Sequence, residues 1–214
     1  MPEGEGDSAM IATLKKLALA GLALAAALAV WAGMAKRDTN SGLLHYGQIP
    51  PFELVQAGGA PFKGDSLQGK VWIASFVYTT CRASCPMLTA QVRRLSKSLP
   101  AGPDYALVSF SVDPAKDTPE ALEQYAKASG ADDPRWHFLT GSTAALKTLI
   151  SDGFRLVAEA DDKALDARVN PDIVHSTKLV LVDRHGSVRG YYDGLLGSSV
   201  EAVRRDAELL AKEN

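Results

Sequence analysis

The sequence predicts an α/β fold, a central mixed sheet flanked by helices, preceded by one N-terminal transmembrane helix. Three observations carry that reading. Val71–Tyr78 and Tyr105–Val112 are apolar, β-rich runs of the kind seen in buried strands. Segments with helical spacing follow each of them, and alternating strands and helices call for a sheet with parallel pairs covered on both faces. Ahead of all this, Leu17–Met34 is an uncharged run rich in Ala and Leu.

Residues 1–13 read as a polar tail carrying Glu3, Glu5 and Asp7. Residues 14–34 read as the anchor. The eighteen uncharged residues would reach about 27 Å as a helix, just short of a typical hydrocarbon core. Lys15, Lys16, Lys36 and Arg37 flank the run and can extend its effective span by snorkelling. A cleaved signal peptide is the alternative, with Val30-Trp31-Ala32 as an imperfect cleavage site. A buried core helix fits poorly, because the run has no polar face. Residues 35–48 read as a linker, and residues 49–214 as the globular domain.

Within the domain, Pro86 falls in the first turn of a helix whose Leu88, Val92, Leu95 and Leu99 share one face. Thr118-Pro119-Glu120 is a helix start: an N-cap, a proline, then an acid on the positive end of the dipole. That helix stops at Gly130. Trp136–Leu139 is a short strand, Thr140-Gly141-Ser142 leads into a helix through Ile150, and Phe154–Ala158 reads as a further strand. Lys178–Val182 and Ser187–Tyr192 flank a hairpin turn at Asp183-Arg184-His185-Gly186. Val200, Val203, Ala207 and Leu210 mark a last amphipathic helix. Alternating β and α, a closing hairpin and a final helix make a thioredoxin-like domain.

Composition narrows the chemistry. The net charge is −2 with no long Lys/Arg run, which argues against nucleic acid as partner. Apolar residues at 46% support a real core rather than disorder. The only two cysteines, Cys81 and Cys85, stand in Cys81-Arg82-Ala83-Ser84-Cys85-Pro86, too close together for a disulfide framework. The motif follows a strand and opens a helix, where free N–H groups and the dipole favour thiolate. A spacing of four brings both sulfurs to one side of a helical turn. Such a pair can be buried and inert, can act as a redox dithiol, or can hold a soft metal ion. The usual redox signature has two intervening residues, and here there are three. Zinc in a closed site wants four ligands, whereas two sulfurs and one imidazole suit three-coordinate copper(I) and can also take copper(II).

Among the histidines, His45 lies in the linker, His137 beside Trp136 in a strand and His185 in a turn. His175 follows the irregular Asn170-Pro171-Asp172-Ile173-Val174. In a thioredoxin-like fold the loop leading to the next strand lies against the dithiol turn. A satisfied structural histidine is the ordinary alternative.

These residues resemble the Sco/SenC family of copper-binding proteins that assist cytochrome c oxidase assembly. The similarity covers roughly residues 46–212. Four blocks carry it: Val71–Pro86 with Cys81-x-x-x-Cys85-Pro86, Ser111–Glu120, Trp136–Gly141, and Val174-His175-Ser176-Thr177 through Gly186. The resemblance implies a copper site of Cys81, Cys85 and His175, taking Cu(I), Cu(II) or both. It implies a metallochaperone rather than an enzyme. Its partners would be the copper-centre subunit of cytochrome c oxidase and another periplasmic copper chaperone. It also implies a domain held by its anchor in the periplasm or the mitochondrial intermembrane space. The sequence departs from the family at Arg82, where Pro is frequent, and at Ser176, where Thr is common. A thiol–disulfide oxidoreductase using Cys81 and Cys85 as its dithiol, or a copper or redox sensor, stays open beside the chaperone. Asp113 reads equally as a residue supporting the site or contacting a partner and as an ordinary strand-end turn residue.

Overall fold

The computed structural model describes residues 41–156 and 177–213. The strands are β1 (Gly47–Gln48), β2 (Glu53–Gln56), β3 (Pro61–Lys63), β4 (Val71–Val77), β5 (Tyr105–Ser111), β6 (Trp136–Thr140), β7 (Lys178–Val182) and β8 (Ser187–Asp193). The helices are α1 (Ser84–Ser98), α2 (Pro119–Ala128), α3 (Thr143–Thr148) and α4 (Gly197–Leu210). A 3₁₀ turn at Gly64–Leu67 precedes β4, and a π-helical turn at Leu149–Gly153 extends α3.

All these strands share one sheet, ordered β1-β8-β7-β4-β5-β6-β2-β3. The three middle strands β4, β5 and β6 run parallel; β7 and β8 form an antiparallel hairpin against β4. This is the mixed, thioredoxin-like α/β architecture that the alternating pattern predicts. Every residue of β4 and β5 is buried, so these strands read as continuous apolar runs rather than alternations. Their side chains still divide by parity. Trp72, Ala74 and Phe76 join Phe110, Leu149 and Phe154 on one face; Val71 and Ile73 join Leu88, Leu122 and Val203 under α1, α2 and α4 on the other.

The local signals act as expected. The Thr118 hydroxyl accepts from the Ala121 N–H, Pro119 opens α2, and Glu120 sits in its first turn. The hairpin turn closes with Gly186 at φ +81°, the left-handed region that glycine adopts without a Cβ clash. Its Asp183 carboxylate accepts from the His185 and Ser187 N–H groups.

The structure corrects the reading in two places. Residues 154–156 form no strand: Phe154 is a buried plug at the end of the π-helical turn, its carbonyl held by the Tyr191 hydroxyl. Residues 157 and 158 of that expected strand lie outside the described residues. The assigned linker also contains structure. Gly47–Gln48 pair with β8, and Ser41, Leu43 and Leu44 bind Arg189. Strands β2 and β3 extend the sheet beyond β6, an addition the sequence did not suggest. The expected membrane span at residues 14–34 lies outside the described residues, among which no helix is long and apolar enough to cross a membrane.

Candidate metal centre

Strand β4 delivers its chain to the C-terminal end of the parallel core, where α/β sheets present their sites. There Tyr78–Ala83 turn the backbone into α1, with the Cys81 N–H on the Tyr78 carbonyl at 3.2 Å. Cys81 stands in the turn and Cys85 in the first turn of α1. The Cys85 N–H donates to Cys81 Sγ at 3.4 Å, and Ser84 Oγ stands 4.0 Å from the same sulfur. Both thiols are free and buried, at 8% and 5% exposure, while Thr80, Arg82, Ala83, Pro86 and Met87 form an exposed rim around them. The pair is therefore sheltered but lies only one layer below solvent.

The two sulfurs are electrostatically unequal. Burial alone would raise the Cys81 thiol. Hydrogen bonds from the Cys85 thiol, the Cys85 and Ala83 N–H groups and the Tyr78 hydroxyl outweigh it and bring Cys81 down to about 7. Those N–H groups are free because they open a helix. Cys85 is pushed up to about 12, first by burial and then by its hydrogen bond to Cys81. Tyr78 is raised above the usual tyrosine range by burial and by donating to Cys81. The arrangement favours a Cys81 thiolate whose partner holds the remaining proton.

A buried polar network stands behind the turn. The Asp117 carboxylate, at 0% exposure, accepts from the Thr79 N–H at 2.9 Å and the Thr79 hydroxyl at 2.6 Å. Its other oxygen accepts from Ser111 Oγ at 2.6 Å. Ser111 Oγ in turn accepts from the Asp113 N–H at 3.1 Å, and Lys116 Nζ lies 3.0 Å from Asp113 Oδ2. Asp113 thus helps shape the loop, while Asp117 holds the dithiol turn. Sequence reasoning passed over Thr79 and Asp117. An acid just before an N-cap reads as a helix-start residue, and nothing in the pattern shows that its side chain turns inward.

The structure brings Cys81 and Cys85 together; His175 lies outside the described residues. No group of three or more His, Cys, Asp and Glu side chains able to hold a metal occurs among the described residues. The other expected bystanders sit apart from the pair. His137 packs on Phe62 and bonds Gln56, and His185 occupies the hairpin turn. Two soft sulfur donors in hydrogen-bond contact, one of them readily ionised, suit a thiophilic ion as a two-point clamp.

The backbone that follows residue 176 arrives at this same edge. β7 is antiparallel to β4, with Ala74 opposite Val180, so β7 starts where β4 ends. Thr177 O accepts from the Gly194 N–H at 2.8 Å. A Cβ built on Gly194 would lie 2.8 Å from Thr177 O and 2.2 Å from Leu88 Cδ1. Leu88 lies three residues beyond Cys85 on α1, close to one helical turn.

Comparison with known proteins gives a consistent result. The SCO1/SenC family model matches residues 43–210. A SCO1/SenC family lipoprotein from Bacillus anthracis is 32% identical with a TM-score of 0.68, covering 80% of this chain and 98% of its own. BsSco, a member of the Sco family of cytochrome c oxidase assembly proteins with a disulfide switch, is 28% identical with a TM-score of 0.68, over 81% and 98% of the two chains. Arabidopsis thaliana ScoI with copper bound is 25% identical with a TM-score of 0.55, over 74% and 97%.

Proposed function

The chain belongs to the SCO1/SenC family, and on that premise we propose that it is a copper metallochaperone whose domain holds copper through Cys81, Cys85 and His175. Its task in this reading is to assist assembly of the copper centre of a respiratory oxidase. The observation that carries the reading is the dithiol turn: two unbridged thiols, buried beneath an exposed rim, one of them held near pH 7. Copper is the cargo. Binding releases thiol protons and forms two sulfur–copper bonds, with the imidazole as a third donor. Few ligands and a shallow site suit handoff by ligand exchange.

The path of the chain supports His175 as that third donor. Two residues of backbone span at most about 7 Å, and Thr177 is fixed beside Gly194 and Leu88 at the dithiol edge. That short tether from Thr177 is the support for assigning His175 as the third donor. Copper(I) is tolerated by two sulfurs alone, whereas copper(II) needs nitrogen. Both oxidation states fit the full set. The donor of copper in this reading is another periplasmic copper chaperone, and the recipient is the copper-centre subunit of the oxidase.

Residues 14–34 serve as an uncleaved membrane anchor, with the domain on the periplasmic side. The only cysteines are Cys81 and Cys85, so no cysteine near that run is available for a lipid. A single hydrophobic helix does the same work.

A second reading has its own observation. The split between Cys81 near 7 and Cys85 near 12 is what thiol–disulfide exchange uses. The Cys81 thiolate attacks an acceptor disulfide, expelling one acceptor thiolate and forming a mixed disulfide. The Cys85 sulfur, losing its proton, then closes Cys81–Cys85 and releases the acceptor as a dithiol.

His175→Ala separates the two readings. The chaperone predicts that anaerobic titration of the reduced full-length protein still finds copper(I) binding. Copper(II) binding falls at least about tenfold, and oxidase copper loading fails in cells at limiting copper. Normal loading by the variant would remove copper delivery as the main role and leave the oxidoreductase.

A further inference from the structure

We propose that the exposed face of α1 is the docking surface for a protein partner that carries an acidic patch beside its own metal site. The inference rests on the copper reading above and adds where the acceptor is held and by what chemistry.

The helix itself defines the face. Cys85, Leu88, Thr89, Val92, Leu95 and Ser96 are buried and turn one side of α1 into the domain. The other side presents Pro86 and Met87 at its start and Arg93, Arg94 and Lys97 toward its end, all exposed. Met87, at 56% exposure, sets an apolar and adaptable side chain two residues after Cys85. Arg94 follows Met87 by two helical turns, about 10 Å along the axis and on the same line.

The charge on this face is uncompensated. α1 contains no Asp or Glu. Among the described residues Arg93, Arg94 and Lys97 enter no ion pair. Arg93 reaches only the neutral Ser129 carbonyl, at 3.4 Å. The other long helices mix their signs: Lys127 pairs with Glu123 on α2, and Arg204 with Glu201 and Glu208 on α4. Arg93 and Lys97 stand four apart, a like-charge spacing that weakens a helix. The helix dipole accounts for Lys97 in the last turn, but not for three cations without one acid. The whole chain carries −2, so this face runs against the average charge.

Position says what covers it. Arg94 lies about 13 Å along the axis from Cys85. An interface of about 800 Å² on each side is a disc of about 16 Å radius. A partner centred on the dithiol therefore overlies Met87 and reaches Arg93 and Arg94, with Lys97 at its margin. Exposed Arg82 adds a cation on the rim of the thiols. Apolar contact at the centre and charge at the edge is the ordinary division of a protein interface. The matching surface has an apolar spot at its metal site and carboxylates about 10 Å away, the rise between Met87 and Arg94. Anionic headgroups would also satisfy the cations, but they have nothing to exchange with the thiols.

The test is Arg94→Glu/Lys97→Glu in the full-length protein in detergent, binding the purified copper-centre domain of the oxidase. The expected association rate at low salt is about tenfold or more below wild type. At about 0.5 M salt the gap closes to within about threefold, because screening hides the charges. Arg94→Lys keeps the charge and associates as wild type. Arg94→Gln/Lys97→Gln serves if the reversal disturbs the fold, with a smaller loss of the same sign. The alkylation rate of Cys81 stays at the wild-type value throughout. Wild-type association by both double variants at low salt, or an equal loss at both salts, would overturn the inference. In a second arm the protein is reconstituted into phosphatidylcholine vesicles with and without phosphatidylglycerol, and Lys97 is acylated at the same rate in both. Protection of Lys97 by phosphatidylglycerol would assign the face to the membrane and overturn the inference. Failure of the wild-type protein to bind the domain would instead overturn the copper-delivery reading, and the inference with it.

Discussion

Two buried polar clusters sit in different parts of this domain, and they are built on opposite principles. The first centres on Arg189 in β8. Its guanidinium pairs with Asp183 and Glu213, each at 3.0 Å, and donates to Ser41 Oγ and the Leu43 and Leu44 carbonyls. Glu213 also accepts from the Ser41 N–H. Opposite charges meet there, and the cluster ties the start of the domain to its end. The second centres on Asp117, whose three donors are neutral. It stands behind the two thiols. The contrast teaches where stability and function part company: the compensated cluster holds the fold closed, and the uncompensated one lies behind the dithiol turn. Functional sites are where such local violations are expected.

Removing the centre of the first cluster should have the largest effect on stability. Arg189→Ala strands Asp183 and Glu213 without their cation, and breaking a buried pair from one side costs about 3–5 kcal/mol. Urea denaturation should show that loss, while the alkylation rate of Cys81 at neutral pH stays at the wild-type value. A change in thiol reactivity as large as the change in stability would show that the two clusters are not separable.

The second cluster should show the reverse balance. Thr79→Val keeps the shape and the N–H but takes one donor from the Asp117 carboxylate, worth about 1–3 kcal/mol. The stability loss should be smaller than for Arg189→Ala, yet copper(I) binding and Cys81 reactivity should both move. Wild-type copper(I) binding in this variant would show that the carboxylate does not reach the site through Thr79.

These contrasts also mark how far the sequence could be read. Strands β4 and β5, the start of α2 and the β7–β8 hairpin carry their signals within a few adjacent residues, and each lies where its pattern predicts. The dithiol turn was legible for the same reason: two cysteines, a strand before them and a proline after. Strands β1 to β3 span only two to four residues, too few for alternation to register. Phe154 to Ala158 had strand-like composition, but Phe154 is buried as a plug between Trp72 and Phe76 rather than paired in the sheet. The two polar clusters were least legible. Arg189 and Glu213 look like solvated charges until residues 41–44 are seen to meet them, and Asp117 looks like a helix-start acid until its side chain is seen to point at Thr79.

Between pH 7 and 9 the thiols themselves test the second cluster. Cys81 is depressed from about 9 to about 7 in the folded protein, so the stability it contributes is present above pH 9 and lost as pH falls through 7. Cys85 is raised from about 9 to about 12, so its contribution is present below pH 9 and lost as pH rises through 12. The reduced protein should therefore gain stability from pH 7 to 9 on account of Cys81 and lose it above 9 on account of Cys85. Alkylation followed by mass spectrometry should label Cys81 with a midpoint near 7 and leave Cys85 unlabelled at pH 8. Equal labelling of both at pH 8 would remove the asymmetry.

The smallest expected effect belongs to Thr118, and it is the sharpest control. Thr118 is the immediate neighbour of Asp117 and lies in the same loop, yet its side chain does something else: its hydroxyl accepts the Ala121 N–H and caps α2 at 3.3 Å. Thr118→Ala removes that cap, which costs about 1 kcal/mol. It leaves the Asp117 carboxylate, Thr79 and Ser111 in place. If the loop matters to copper only because it must be rigid, loosening the start of α2 should weaken copper(I) binding in proportion to the lost stability. If the charge of Asp117 is what the site feels, Thr118→Ala should lower the denaturation midpoint and leave the copper(I) and copper(II) constants at wild-type values. The two residues are adjacent in the chain, so the comparison holds loop and helix constant. The removed group caps the helix in one case and holds Thr79 and Ser111 in the other.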